Sequence, residues 1–182
     1  YLEYTEYADA IGRFVMTDAI NKLRQWHQAG LPWSISINLS PSHFLSSGFE
    51  EDLAEALDGC DETIRSKLIL ELLETTALDD SDTVIKRLQA CRSIGVDLAL
   101  DDFGTGYSSL DYFRRLPVQE IKIDRSFVTD MLSDEEDQMV VGAIIDLSEN
   151  FHRRVVAEGI EDADTRDRLL EMGCHVAQGY FW

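Results

Sequence analysis

VDLALDDFGTGYSSLDYFRRLPVQEIKID, residues 96–124, decides the fold. Val96 to Leu100 is an apolar-rich strand, ended by Asp101-Asp102 and a glycine loop. A short helix follows from Leu110 to Arg115 and stops at Pro117, and Glu120 to Asp124 is a second strand. Two strands joined by a helical crossover lie parallel, because a tight hairpin is not available to them.

The same unit repeats to either side. Upstream, apolar residues at helical spacing run from about Tyr4 to Ala29 (Ile11, Phe14, Val15, Ala19, Ile20, Leu23, Trp26), closed by Gly30 and Pro32. Ser34 to Asn38 alternates as a strand, Phe49 to Leu57 reads as a helix and Leu68 to Leu72 as a strand. Ser81 caps a helix to Ser93, closed by Gly95. Downstream, an acidic patch from Asp134 to Asp137 precedes a helix from Gln138 to Phe151. Then come a strand from Arg154 to Glu158, a helix from Asp162 to Met172 stopped by Gly173, and a last strand beginning at Val176-Ala-Gln178. Six strand–helix units of this kind mean an α/β fold with a mainly parallel sheet, either doubly wound or a (β/α)8 barrel. A barrel takes about 250 residues and eight units, so six in 182 fit one with two units missing.

Composition narrows the function. Hydrophobic residues make up 45% of the chain and charged residues 28%, the profile of a globular domain with a sizeable core. The formal net charge of −19 excludes nucleic acid polymers, whose binding rests on phosphate neutralisation by Lys and Arg. A small anionic ligand would need metal ions or a local basic spot. Cys60, Cys91 and Cys174 have no metal or redox spacing and read as reduced thiols of a cytoplasmic domain. No apolar run reaches the roughly 18 residues of a membrane span, so no direct membrane contact is expected, although a longer parent protein could carry an anchor.

Charge collects where the strands end. Asn38, Glu71, Asp101, Lys122, Glu158 and Gln178 each hold the C-terminal end of a different strand, with Asp102 and Glu161 just beyond two of them. One acid there is ordinarily a solvated rim or a helix cap; six strands doing it in parallel mark the face on which a barrel carries its active site. Two carboxylates about 4 Å apart repel by about 4 kcal/mol at an effective dielectric of 20, so a convergent set raises its own pKa values or recruits cations. Oxygen ligands without a Cys or His cluster select Mg²⁺, Mn²⁺ or Ca²⁺. Neighbouring strand residues face opposite ways, so Asp101 and Asp102 serve one site only if the chain turns there, as Gly104 and Gly106 permit. Lys122, between Ile121 and Ile123, either meets a carboxylate or snorkels outward. Asp124 and Arg125 touch ligand or cap the next segment, and Glu74 braces the glycine loop or is plain surface charge. His27, His43, His152 and His175 have no ligand spacing.

Asn38-Leu-Ser40, Glu71-Leu-Leu-Glu74, Asp101-Asp-Phe-Gly-Thr-Gly-Tyr-Ser-Ser-Leu110, Lys122-Ile-Asp-Arg-Ser-Phe127, Val156-Ala-Glu-Gly-Ile-Glu161 and Gln178-Gly-Tyr180 together resemble, in order and spacing, the EAL-domain family of cyclic di-GMP phosphodiesterases. The resemblance implies a modified TIM (β/α)8 barrel and a bacterial signalling hydrolase. That enzyme cuts cyclic di-GMP to linear pGpG with two Mg²⁺ or Mn²⁺ ions. By position it implies Asn38, Glu71 and Asp101 as ligands of one ion and Asp101, Asp102 and Glu158 as ligands of the other. It further implies a catalytic set of Lys122, Glu158, Glu161 and Gln178, with Glu74 anchoring the 103–109 loop and Asp124 at the substrate edge. In-line attack by a water held between the cations is the mechanism it suggests, with Glu158 and Lys122 placed for proton handling.

The resemblance also implies a homodimer, flanked in the full protein by sensory or diguanylate-cyclase-like domains. The Glu-Ala-Leu segment that names the family would lie upstream of Tyr1. Residues 1–182 are therefore expected to be one such domain, cut at its N-terminus and at its extreme C-terminus. Two other readings compete. One is a catalytically inactive receptor or interaction module of the same fold, marked by Ala or Gln for the upstream Glu. The other is a metal-dependent barrel enzyme of different chemistry, such as an enolising lyase, which also places acids and a Lys at strand ends.

Overall fold

A computed structural model describes residues 7–78, 81–106 and 109–181, with the backbone alone given for Leu78 and Ser81. Its elements run α1 (Ala8–Gln28), β1 (Ile35–Asn38), α2 (Pro41–Leu45), α3 (Phe49–Ala56), α4 (Glu62–Arg65), β2 (Leu68–Leu73), α5 (Glu74–Leu78), α6 (Ser81–Ile94) and β3 (Asp97–Phe103). They continue with α7 (Leu110–Arg115), β4 (Glu120–Ile123), α8 (Arg125–Asp130), α9 (Glu135–Asn150), β5 (Arg154–Glu158), α10 (Ala163–Glu171) and β6 (Val176–Gln178). The residues group into two compact units, 1–72 with 76–98, and 73–75 with 99–182.

In the first unit β1 and β2 run parallel, with Asn38 opposite Glu71. Helix α1 buries Ala8, Met16, Ala19, Ile20 and Leu23 and packs on α2, α3 and β1. Of the expected apolar stripe, Phe14, Ile11 and Val15 are exposed; Tyr4 lies outside the described residues. Gly12 lets the buried His43 ring approach, since a Cβ there would lie 2.1 Å from its Nδ1.

In the second unit β3, β4, β5 and β6 lie side by side in sequence order, all parallel. A doubly wound sheet reverses its strand order at a switch point. No reversal occurs within either unit, and the repeated βα order is that of a partial TIM-type barrel. Leu100, Ile121, Ile123, Val156 and Ala157 are buried along these strands, and α9 covers β4 and β5 with Val141, Ile144 and Ile145.

Four helices of the second unit begin at side-chain caps. Ser109, Asp124, Asp134 and Asp162 accept backbone N–H bonds at the starts of α7, α8, α9 and α10. The acidic patch at 134–137 is therefore the cap and first turn of α9, where negative charge meets the positive end of the helix dipole. Helices α2, α4, α5 and α8 have six residues or fewer, too few to show a period of 3.6 in sequence. Among the described residues no helix is long and apolar enough to cross a membrane.

The exit of β6 is locked onto that of β5. Ile160 N–H donates to Gln178 O at 3.2 Å and Phe181 N–H donates to Ile160 O at 3.1 Å. A Cβ on Gly179 would stand 2.1 Å from Ile160 O and 2.4 Å from Ile160 N, backbone atoms that cannot yield. Gly179→Ala is therefore expected to destabilise the fold by about 3 kcal/mol, the upper range for overpacking, read as a lowered urea midpoint at unchanged slope.

Candidate active site at the strand exits

Alternation on β4 sets the site. Glu120 and Lys122 share one face of the strand while Ile121 and Ile123 take the other. Glu120 is matched by Arg154, whose Nε lies 2.5 Å from its Oε2. Lys122, 4% exposed, is matched by two acids: its Nζ lies 2.9 Å from Asp101 Oδ1 and 2.6 Å from Glu158 Oε1. The lysine thus points inward, and the snorkelling alternative is set aside. Asp101 comes from β3 and Glu158 from the end of β5, so three strands supply this contact.

The two aspartates meet through a bulge. Ala99 and Leu100 sit opposite Glu120 and Ile121, but Phe103 sits opposite Ile123. Three steps on β3 thus match two on β4, leaving one extra residue, and Asp102 takes a left-handed φ of 53°. Strand β3 therefore runs on through Phe103 instead of ending at Leu100, and the turn lies within Asp101-Asp102, ahead of the glycines. One oxygen each from Asp101, Asp102 and Glu158 then falls within 4.8 Å of the others.

Burial, the neighbouring Asp101 charge and a hydrogen bond to Asp124 push the Asp102 carboxyl up to about 6. Partial burial pushes Asp124 up as well. The Ser126 hydroxyl and N–H, the Asp102 hydrogen bond and the Arg125 charge outweigh it and hold Asp124 below the usual range. When the pair takes up a proton, as pH falls through about 6, that proton resides on Asp102, as a donor to Asp124.

The donor set suits a hard divalent cation. Three carboxylates face a single ammonium, leaving net negative charge, and all the available ligand atoms are oxygens. Asp101 Oδ1 is buried with no hydrogen-bond partner among the described residues; the Lys122 ammonium is near enough for an ion pair but out of line for a hydrogen bond. The single ammonium offsets only one of the three negative charges gathered here, and a cation would offset more.

The remaining expected residues divide. Asn38, exposed, and Glu71, 5% exposed, face one another across β1 and β2 in the first unit. Glu161 and Gln178 are exposed and line, with Glu158, a cleft of about 280 Å³. Glu74, 2% exposed, is no surface charge: its Oε2 accepts from Gly104 N–H at 3.0 Å and Gly106 N–H at 3.1 Å. Tyr107 and Ser108 of that loop lie outside the described residues. The sequence reading passed over Gly159 and Gly179, which let backbone and side chain close around the cleft. Their signal is position, since each directly follows a polar strand-end residue, Glu158 or Gln178.

Residues 1–182 match the sequence profile of the EAL domain throughout. The chain belongs to the EAL-domain family. The bifunctional diguanylate cyclase/cyclic di-GMP phosphodiesterase MucR of Pseudomonas aeruginosa is 38% identical over 176 residues, which are 93% of this chain and 25% of that protein. The EAL chain thus spans about a quarter of the length of that curated relative. A solved PaMucR phosphodiesterase in complex with c-di-GMP superposes with a TM-score of 0.90 at 38% identity, over 94% of this chain and 70% of that one. A manganese/cyclic di-GMP complex of Klebsiella pneumoniae BlrP1 at pH 9.0 gives a TM-score of 0.79 at 25% identity, over 97% and 43%.

Two outcomes are expected. Asp124→Asn removes both a charge and the ionised acceptor, so the Asp102 midpoint falls from about 6 toward the ordinary value of about 3.9; a carboxyl-carbon NMR titration reads it, and an unmoved midpoint rejects the pairing. Glu74→Ala strips the partner from two loop amides, and hydrogen exchange at Gly104 and Gly106 should accelerate about tenfold or more, the equivalent of one lost charge-assisted bond.

Proposed function

We propose that the protein carrying this domain hydrolyses cyclic di-GMP to linear pGpG in a reaction dependent on Mg²⁺ or Mn²⁺. The observation that carries the reading is the buried Lys122 held by Asp101 and Glu158 beside Asp102, in a family whose relative MucR is named for this activity. The manganese in the BlrP1 complex supports the choice of metal.

Asp101, Asp102 and Glu158 would hold a cation, and Asn38 and Glu71, at strand ends of their own unit, keep the ligand roles that the family resemblance gives them. When bound, divalent cations supply charge neutralisation of a phosphodiester and acidify water near neutral pH. Lys122 fixes the orientation of Asp101 and Glu158, and its ammonium offsets negative charge that builds on the phosphoryl oxygens. Glu158, with one oxygen on Lys122 and a place in the adjoining cleft, is the group set to take a proton from the nucleophile. Gln178 and Glu161 bind substrate or ordered water from the cleft side. Glu74 acts at one remove, by holding the loop that follows Asp101 and Asp102. Flanking domains belong to the same proposal, supported by the size of MucR against this chain, and so does a cytoplasmic location, supported by the free thiols of Cys60, Cys91 and Cys174.

The test is incubation of the complete protein with cyclic di-GMP and Mg²⁺, with and without EDTA, followed by product chromatography. Linear pGpG in the Mg²⁺ sample alone is expected; intact substrate there favours the receptor. Lys122→Ala should lower turnover by about 100-fold or more, the scale of one lost preorganised charge, with a smaller change in substrate affinity. Below pH 6 a cation must displace the Asp102 proton, so metal affinity should fall by up to about tenfold per pH unit, with proton release on binding. Flat affinity from pH 7 to 5 would remove Asp102 from the ligand set.

A further inference from the structure

In this acidic chain most arginines are engaged. Arg13, Arg87, Arg92, Arg154 and Arg168 each meet a carboxylate, and Arg24 holds two carbonyls. Arg125 differs. Its side chain forms no hydrogen bond or ion pair among the described residues, although it lines a cleft together with Glu158 and Glu161. Its charge is felt by Asp124, its neighbour in sequence. The chain has made room for it: Gly159 sits at φ 76°, and a Cβ there would lie 2.6 Å from Arg125 Cβ.

We propose that Arg125 reads the guanine base of the ligand, with its planar fork on O6 and N7. This rests on the cyclic di-GMP reading above. Glu158 belongs both to the acid cluster and to the cleft, so a phosphodiester placed at the acids puts an attached base within reach of Arg125. The cleft is ill suited to a second phosphate, because Glu158 and Glu161 line it and would repel a phosphodiester's negative charge. It suits guanine, whose edge offers two acceptors to a guanidinium and ring and amino N–H donors to a carboxylate such as Glu161. Arginine, and not lysine, matches the paired acceptors by geometry as well as charge.

The experiment compares full-length wild type with Arg125→Ala, Arg125→Lys and Arg125→Gln. The readouts are the KM for cyclic di-GMP and the inhibition constant of cyclic di-AMP, whose adenine carries a donor where guanine has O6. Arg125→Ala should raise the KM about 10- to 100-fold, the scale of one bidentate base contact. The preference for guanine over adenine should narrow by a similar factor, and Arg125→Lys should fall in between. Because Arg125 is exposed, folding should survive, and matching circular dichroism of Arg125→Ala and Arg125→Gln checks this. An unchanged KM in folded variants overturns the assignment, and so does an equal loss for both nucleotides, which would mean a phosphate contact. A wild type that neither binds nor cleaves cyclic di-GMP removes the underlying function and this inference with it.

Discussion

A lysine ammonium buried between two carboxylates is the interaction on which the site depends. Lys122 Nζ sits within 3 Å of both Asp101 and Glu158 on a strand whose flanking residues are apolar. An isolated ammonium at that depth would lose its proton or force the strand apart. Two acids hold it charged, and the exchange is mutual, because the lysine keeps two carboxylates from driving each other out toward solvent. The balance stays incomplete: Asp102 joins the cluster, and net negative charge remains for a cation to satisfy. Removing one partner from such a set costs more than the set contributes, since it leaves the others buried without compensation.

Geometry at this precision comes from backbone irregularity. Regular β3 would send Asp101 and Asp102 to opposite faces. The extra residue between Leu100 and Phe103, with Asp102 in a left-handed conformation, turns both toward Glu158. A non-glycine residue in that region stores strain and persists where its surroundings over-determine it. Here the surroundings are close at hand. Asp124 takes the Asp102 hydrogen bond, Thr105 donates to Asp102 O, and Glu74 ties down the next two glycine amides. The site is thus held from its own strand, from the start of α8 and from the residue that opens α5.

The strand exits of the second unit form a platform whose parts divide the work. One side is acidic and carries the lysine. The other is the cleft of Arg125, Glu161 and Gln178, and Glu158 is common to both. Gly159 and Gly179 are the price of that closeness, since a side chain at either would collide with a neighbouring exit. A ligand with phosphate at one end and a base at the other matches this division.

Strand–helix alternation, the polar residue at each strand end and the breakers Gly30, Gly95, Pro117 and Gly173 are local patterns, so the sequence by itself determined the parallel α/β fold and the positions of the six strands. It also confined the candidate site to those ends, and left short helices unseen because a single turn has no period. Tertiary structure alone decided which of those groups meet. Periodicity does not say whether Lys122 points inward, that Asp101 and Asp102 share a face through a bulge, that Asp102 keeps its proton toward pH 6, or that Arg125 stands beside Glu158 across a glycine. The physical reason is that these facts arise from contacts between strands far apart in the chain. Register, burial and the electric field of neighbours exist only once those strands lie side by side.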